Sequence, residues 1–247
     1  MIALFTDFGA GGPYVGQVKA VLESLAPDTP VVELMSNAPA FKVRACAHLL
    51  AALVLPFPAG SIFLCVVDPG VGTAARQPVL LRIDGRWYVG PGNGLLDVVA
   101  KRGESVEVWR VDWQPETLSR SFHGRDLFAP VAAMLARGED VPVTPVALDQ
   151  HSLDAMPNDL AEVIYVDDFG NAMTGLRAAA LEEPCMLDAG KTRVSHAATF
   201  GEAGKGEAFW YYNAIGLVEI AVNQGNAAEK LGLAVGDPVI FNSPASV

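Results

Sequence analysis

The chain has 247 residues, 51% hydrophobic and 18% charged, with 17 Lys and Arg against 28 Asp and Glu for a formal net charge of −11. This is the composition of a globular protein with room for one large domain or two smaller ones. The acid excess speaks against nucleic acid or anionic lipid as a partner, because both select a basic footprint, and no apolar run reaches the ~18 residues that span a bilayer.

The first half alternates strand and helix. Residues 2–5 form an apolar strand, 14–25 carry apolar residues at helical spacing, and 31–34 are strand-like again. Residues 43–55 read as an apolar helix closed by Pro56 and Pro58. Residues 62–67 form a strand without polar alternation, as expected when both faces are covered. Residues 79–83 and 87–89 flank an Asp-Gly-Arg turn, a hairpin signal. A helix over 94–101, a strand over 106–111 and a helix over 126–137 follow. The expectation is an α/β domain over 1–150, a mostly parallel sheet with helices on both faces.

The texture then changes. Residues 137–150, RGEDVPVTPVALDQ, are rich in Pro and Asp without periodicity and read as a linker or crossing segment. Short strands are expected at 161–166, 185–187, 192–195, 207–212, 217–222 and 238–241, separated by turn residues. That spacing suits a smaller C-terminal domain over 151–247, a small barrel or sandwich.

The start, MIALFTDFG, has no basic region and no cleavage-like site, so it does not read as a secretory leader. Cys46, Cys65 and Cys185 are widely spaced in apolar contexts. They read as buried thiols of a reducing compartment, which makes a cytoplasmic protein the expectation.

In open parallel sheets, ligands sit beyond the carboxyl ends of strands. The polar clusters there are Thr6-Asp7-Phe8-Gly9, Asp68-Pro69-Gly70-Val71-Gly72-Thr73, Gly90-Pro91-Gly92-Asn93-Gly94 and Ser121-Phe122-His123-Gly124-Arg125-Asp126. Each has a bland reading. Asp7 could cap a turn, Asp68 could open one, Asn93 could be a helix N-cap, and His123 could be a hydrogen-bonded core histidine. Four such clusters at one sheet edge point to a site. In the second half, Asp167, Phe169 and Asn171 could be a hairpin turn, or a pocket that stacks a flat ring and grips hydroxyls or amines. Asn213 and Glu219 mark a strand, and Glu219 within an apolar run needs a partner or solvent. The four histidines are scattered and no HExxH or CxxC occurs, so a zinc site is not expected. Walker A, GxGxxG and GxSxG patterns are also missing.

Taken together, TDFG…YVGQVKAV (6–21), VVDPGVGT (66–73), NGLL (93–96), FHGRDLFAPVAA (122–133), DDFGN (167–171) and GLVEIAVN (216–223) resemble the S-adenosylmethionine hydroxide adenosyltransferases, relatives of the S-adenosylmethionine-dependent fluorinase and chlorinase. The resemblance covers nearly the whole chain. It implies an α/β domain followed by a β-barrel, and a homotrimer with substrate bound between one subunit's first domain and its neighbour's second. It implies attack of water or hydroxide on the 5′ carbon of S-adenosylmethionine, giving adenosine and L-methionine, without a metal or other cofactor. It implies a catalytic Asp–Arg–His set, carried over to Asp68, Arg76 and His123. Asp7, with Phe8 beside it, is implied at the ribose, and Asn93 in substrate binding. Asp167, Phe169 and Asn171 are implied at the methionine amine or the adenine, with Asn213 and Glu219 in the corresponding second-domain segment. The halogenases of the resemblance have other residues where Asp68 and His123 stand, so a halogenase is the runner-up and a non-catalytic adenosine- or S-adenosylmethionine-binding protein the third reading.

Overall fold

The computed structural model describes residues 1–73, 77–180 and 186–242. The chain divides into two compact units, Met1–Met156 and Pro157–Val247.

In the first unit, β1 (Ile2–Thr6), α1 (Pro13–Leu25), β2 (Val31–Met35), α2 (Val43–Leu53) and β3 (Ile62–Val66) are followed by the hairpin β4 (Pro78–Ile83) and β5 (Arg86–Pro91). Then come α3 (Asp97–Arg102), β6 (Val106–Val111), a π turn at Gly124–Phe128, α4 (Ala129–Ala136), β7 (Val143–Pro145) and α5 (Gln150–Ala155). The seven strands form one sheet in the order β2-β1-β3-β5-β4-β6-β7.

The expected mostly parallel sheet is corrected here: the sheet is mixed. The β1–β2, β1–β3 and β3–β5 pairs are parallel, whereas β4–β5, β4–β6 and β6–β7 are antiparallel. The hairpin is the cause. Asp84 (φ 48°) and Gly85 (φ 77°) both adopt left-handed backbone, which gives a two-residue turn whose twist matches paired strands. The hairpin inserts β4 antiparallel beside β5, and β6 then adds to the far side of β4.

Alternation along the strands builds the core. Ile2, Leu4, Ile62, Leu64, Val66, Leu80 and Val89 pack with Val15, Val18 and Leu22 of α1 and with Val131 and Ala132 of α4. Each such side chain contributes roughly 1.5–3 kcal/mol on full burial. Phe63 points the other way, stacking on Tyr88 at 4.9 Å and meeting Phe57 edge-on at 5.1 Å. Residues 45–52 of α2 are all buried, His48 among seven apolar or small neighbours.

The segment expected to be a linker carries β7, paired with β6 in the register Trp109↔Pro145, Arg110↔Thr144, Val111↔Val143. Three residues are too few to show a period, and a proline is tolerated because β7 is an edge strand.

In the second unit, β8 (Leu160–Val166), β9 (Ala172–Arg177), β10 (Met186–Ala189), β11 (Thr192–His196), β12 (Ala208–Tyr212), β13 (Leu217–Val222), α6 (Ala227–Leu231) and β14 (Val239–Asn242) form a second seven-stranded sheet with one short helix. Its order is β14-β10-β11-β12-β13-β9-β8. The two ends approach each other through a Glu162↔Pro238 bridge and backbone bonds from Val163 N to Asp237 O (2.9 Å) and Gly236 N to Val163 O (2.8 Å). The sheet is therefore nearly barrel-shaped. Trp210, Val163, Leu187, Val194, Val218 and Ile220 fill its core.

Candidate active site

Parallel pairing of β1 with β3 brings two carboxylates to the same edge. Thr6 pairs with Val66, the Asp7 amide donates to Val66 O at 3.3 Å, and Asp68 follows two residues after Val66. Asp68 Oδ1 accepts the Gly70 amide at 3.0 Å, so the carboxylate also closes its own turn. Gly72 permits that turn: its φ is +80°, and a Cβ there would stand 2.3 Å from Arg120 O. The 68–73 loop thus lies directly against the segment that leads to His123.

A pocket of about 60 Å³ opens between these segments, lined by Asp7, Phe8, Asp68, His123 and Gly124 among others. Asp68 and His123 also line an adjoining cavity of about 160 Å³, together with Gln77, Pro91 and Gln114. With ~30 Å³ per water in the liquid, the smaller space has room for about two waters. Asp68 and His123 therefore converge on a volume fit for a small nucleophile, with Asp7 on its rim.

Asp7 feels the charge of Asp68. Asp7 is held above its ordinary carboxyl value of 3.8, first by burial and also by the charge of Asp68; hydrogen bonds from its own amide and from the Phe41 amide oppose this. The same field acts on Cys46, whose thiol burial and the Asp7 charge push up to about 12. Cys46 is therefore an un-ionised neighbour of Asp7, and its Sγ–H donates to Pro39 O at 3.3 Å.

Phe8 and Phe122 line the pocket. Tyr14 packs against both, the three rings meeting edge-on with centroids 5.1 to 6.3 Å apart. Gly124 exists for this wall, since a Cβ there would lie 2.8 Å from Phe8 Cζ. Asn93 stands beside the site as a brace: its Nδ2 donates to Val67 O at 2.8 Å and its Oδ1 accepts the Leu95 amide at 3.1 Å. Arg76 lies outside the described residues, as does Cys185.

Phe41 was not found by sequence reasoning. Its backbone is left-handed (φ 64°), its ring is 76% exposed, and its amide serves Asp7. A bulky residue in that conformation stores strain of order 1–3 kcal/mol. Nothing in APAFKV signals it, because the amide's partner, Asp7, is distant in sequence.

The second unit holds the other expected residues in two groups. Asp167 accepts the amides of Phe169 (2.9 Å) and Asn171 (2.8 Å) and the Asn171 Nδ2 (3.0 Å). It therefore organises the turn as the bland reading expects, while Phe169 at the tip is 79% exposed. Glu219, 2% exposed, accepts from Tyr211 Oη–H and from Asn213 Nδ2 (2.8 Å). Asn213 Oδ1 accepts the amides of Ile215 (3.1 Å) and Leu217 (2.9 Å), so this group braces the β12–β13 turn. Burial and the Glu219 carboxylate push the Tyr211 hydroxyl up, with the Asp167 charge adding to it, which brings Asp167 within range of the brace. Tyr211 was also missed; the register that pairs it with Glu219 is what reveals it.

Among the described residues, no group of three or more His, Cys, Asp or Glu is arranged to hold a metal ion, and no helix is long and apolar enough to cross a membrane.

Fold and site together define a two-unit protein: an α/β unit with an acid-and-histidine pocket at its strand ends, then a nearly closed all-β unit. The SAM hydroxide adenosyltransferase N-terminal domain matches residues 2–144 and the corresponding C-terminal domain matches 161–240. The chain belongs to the SAM hydroxide adenosyltransferase family. It is 40% identical to the (R)-S-adenosyl-L-methionine hydrolase of Thermus thermophilus, covering 96% of this chain and 98% of that one. It is 38% identical to the hydrolase of the same name from Salinispora tropica, over 96% and 95% of the two chains. A Nocardia brasiliensis fluorinase is 26% identical over 96% and 94%. A crystal structure of an uncharacterized conserved protein from Thermotoga maritima superposes with a TM-score of 0.82 at 30% identity, over 98% of this chain and all of the other.

Proposed function

We propose that this protein is an enzyme that hydrolyses S-adenosyl-L-methionine to adenosine and L-methionine. The observation that carries this reading is the convergence of Asp68 and His123 on a small pocket beside Asp7, in a chain whose full-length relatives at 38–40% identity are named (R)-S-adenosyl-L-methionine hydrolases. Those names make the (R) sulfonium epimer the first substrate to try.

In the reaction, water oxygen forms a bond to the 5′ carbon while the carbon–sulfur bond breaks. The sulfur keeps the electron pair and leaves as the neutral thioether of methionine. Charge is neutralised as the sulfonium departs, so a dry, well-oriented site favours the step. Asp68 accepts a hydrogen bond from the water, orients it and takes up the proton it loses as the bond to carbon forms; His123 shares the charge that develops. Arg76 completes the set. Asp7, with Phe8, takes the ribose hydroxyls, for which a carboxylate is a paired acceptor, and Asn93 holds the strand ends that frame it. Asp167, Phe169 and Asn171 contact methionine or adenine, and Asn213 and Glu219 support that surface. The working assembly is a homotrimer in the cytoplasm, each site drawing its second-unit residues from a neighbouring subunit, with no metal or other cofactor.

A halogenase reading is weaker: a carboxylate at Asp68 repels a halide, and fluorinase similarity is lower than hydrolase similarity. Incubation with S-adenosylmethionine in H₂¹⁸O, followed by chromatography and mass spectrometry, tests the reading. The expected result is adenosine carrying ¹⁸O at the 5′ position, together with unlabelled methionine. Ligand binding without adenosine release would leave a binding protein, and a chloride-dependent 5′-chloro nucleoside would make it a halogenase.

Asp68→Asn is expected to lower kcat by roughly 10²–10⁴-fold, with little change in the S-adenosylmethionine Kd, because the carboxylate acts on the water. Turnover at the wild-type rate in this variant would remove Asp68 from the mechanism.

A further inference from the structure

His123 enters the pocket from the start of an unusual element. Gly124–Phe128 is a single π turn leading into α4. Such turns carry one residue too many for an α-helix and recur at functional sites. Something must hold the turn open.

Arg125 and Asp126, adjacent in sequence, are fork-paired across it: Nε donates to Oδ1 at 2.6 Å and Nη2 to Oδ2 at 3.1 Å. In a regular helix, neighbouring side chains do not face each other. The pair also reaches outward. Arg125 Nη1 donates to Gln17 Oε1 of α1 at 2.8 Å, and Asp126 Oδ2 accepts the Ser119 amide at 2.9 Å. The guanidinium lies 5.1 Å over the Phe122 ring, which lines the pocket. Both sides of His123 are thus held: Phe122 under the Arg125 cation, and Gly124 against Phe8.

We infer that Arg125 and Asp126 are positioning residues for His123: their fork pair, anchored on Gln17 and Ser119, sets the π turn that aims the imidazole into the Asp68 pocket. This rests on the reading of His123 as a catalytic group. Asp126 itself takes no proton in the reaction, because both its oxygens are engaged by Arg125 and Ser119. The Arg125 guanidinium holds its carboxyl below the ordinary range, and the nearby His123 acts in the same direction. Arg125 keeps 34% and Asp126 14% of its side-chain surface exposed, so the denaturant midpoint of each variant is read beside its rate, to separate loss of fold from misplacement of the ring.

The test compares wild type with Arg125→Met, Arg125→Lys, Asp126→Asn and Gln17→Ala. Arg125→Met and Asp126→Asn are expected to lower kcat on the order of 10- to 100-fold, as a misplacement of about 1 Å does. KM and the adenosine Kd should stay within about twofold, since the loss is confined to the transition state. Arg125→Lys, which keeps the charge but not the fork, recovers part of the rate, and Gln17→Ala shows a smaller loss. The double variant Arg125→Met/Asp126→Asn should be no slower than the worse single, because the two act as a unit. Independently of turnover, the ¹⁵N resonances of the His123 ring should shift in Arg125→Met and return toward wild type in Arg125→Lys.

Wild-type kcat with unmoved His123 resonances in Arg125→Met would overturn the proposal. An equal loss in adenosine affinity and kcat would overturn it too, as a sign of general loosening. If wild-type protein releases no adenosine, the functional reading falls, and the His123 resonances alone decide whether the pair positions the ring.

Discussion

Asp7 and Asp68 stand at the ends of neighbouring parallel strands, and the Asp68 charge makes ionisation of Asp7 more costly. The sign of the pH effect follows. Asp7 titrates above 3.8 in the folded protein, chiefly through burial and then through Asp68. A carboxyl raised on folding favours the folded state below that range, and its contribution to stability is lost as pH rises from 3.8 through the raised value. Binding runs the other way, because a ribose needs the ionised acceptor. Adenosine affinity, followed by calorimetry against pH, should therefore fall on acidification with a midpoint above 3.8. In Asp68→Asn that midpoint should move down, because one cause of the shift is gone; an unmoved midpoint would show that the two acids do not interact. Sequence alone singled out both aspartates, since each follows an apolar strand. It could not show that Asn93 is spent on Val67 and Leu95, or that Phe41 reaches back to Asp7, because those partners are set by which strands become neighbours.

At the scale of elements, the legible parts were those with a long period or a sharp boundary. The helices at α1 and α2 and the hairpin around Asp84-Gly85 are of this kind. β9 was passed over because Gly175 interrupts it. That glycine is required: a Cβ there would stand 2.6 Å from Leu160 Cβ and 2.9 Å from Leu160 O. α6 was also passed over, although its ends carry standard signals. Asn226 caps it by accepting the Glu229 amide at 2.8 Å, and Gly232 ends it in left-handed backbone (φ 65°). The same Asn226 side chain packs against Gly170, where a Cβ would stand 2.1 Å away, and the Ala228 amide donates to Gly170 O at 2.9 Å. The α6 cap and the Asp167–Asn171 turn are therefore one piece. Asn226→Ala is expected to destabilise the protein by about 1 kcal/mol, read as a lower denaturant midpoint at unchanged m-value. An unchanged midpoint would mean that solvent replaces the cap at no cost.

At the scale of the whole molecule, each unit closes around its own core, and each is organised by its own seven-stranded sheet. The two family domains fall one in each unit, at 2–144 and 161–240. The proposed trimer makes turnover depend on assembly. Light scattering at working concentration should give three times the chain mass, and dilution should lower specific activity as trimers dissociate. A monomer of full activity would remove the shared site from the proposal.

The sequence by itself determined the polar clusters, the membership of a family and the activity that membership supports, because these depend on residue types in order along the chain. It also determined that strands dominate the second half, because short apolar runs between turn residues have few other solutions. The hairpin at Asp84-Gly85 was legible, but tertiary structure alone decided that it lies inside the first sheet with β6 added beyond it, since an apolar strand buried on both faces reads the same in either direction. It alone decided that Arg125 and Asp126 grip each other across a π turn, since that contact depends on one extra residue in a helical turn, which leaves no mark in composition or period.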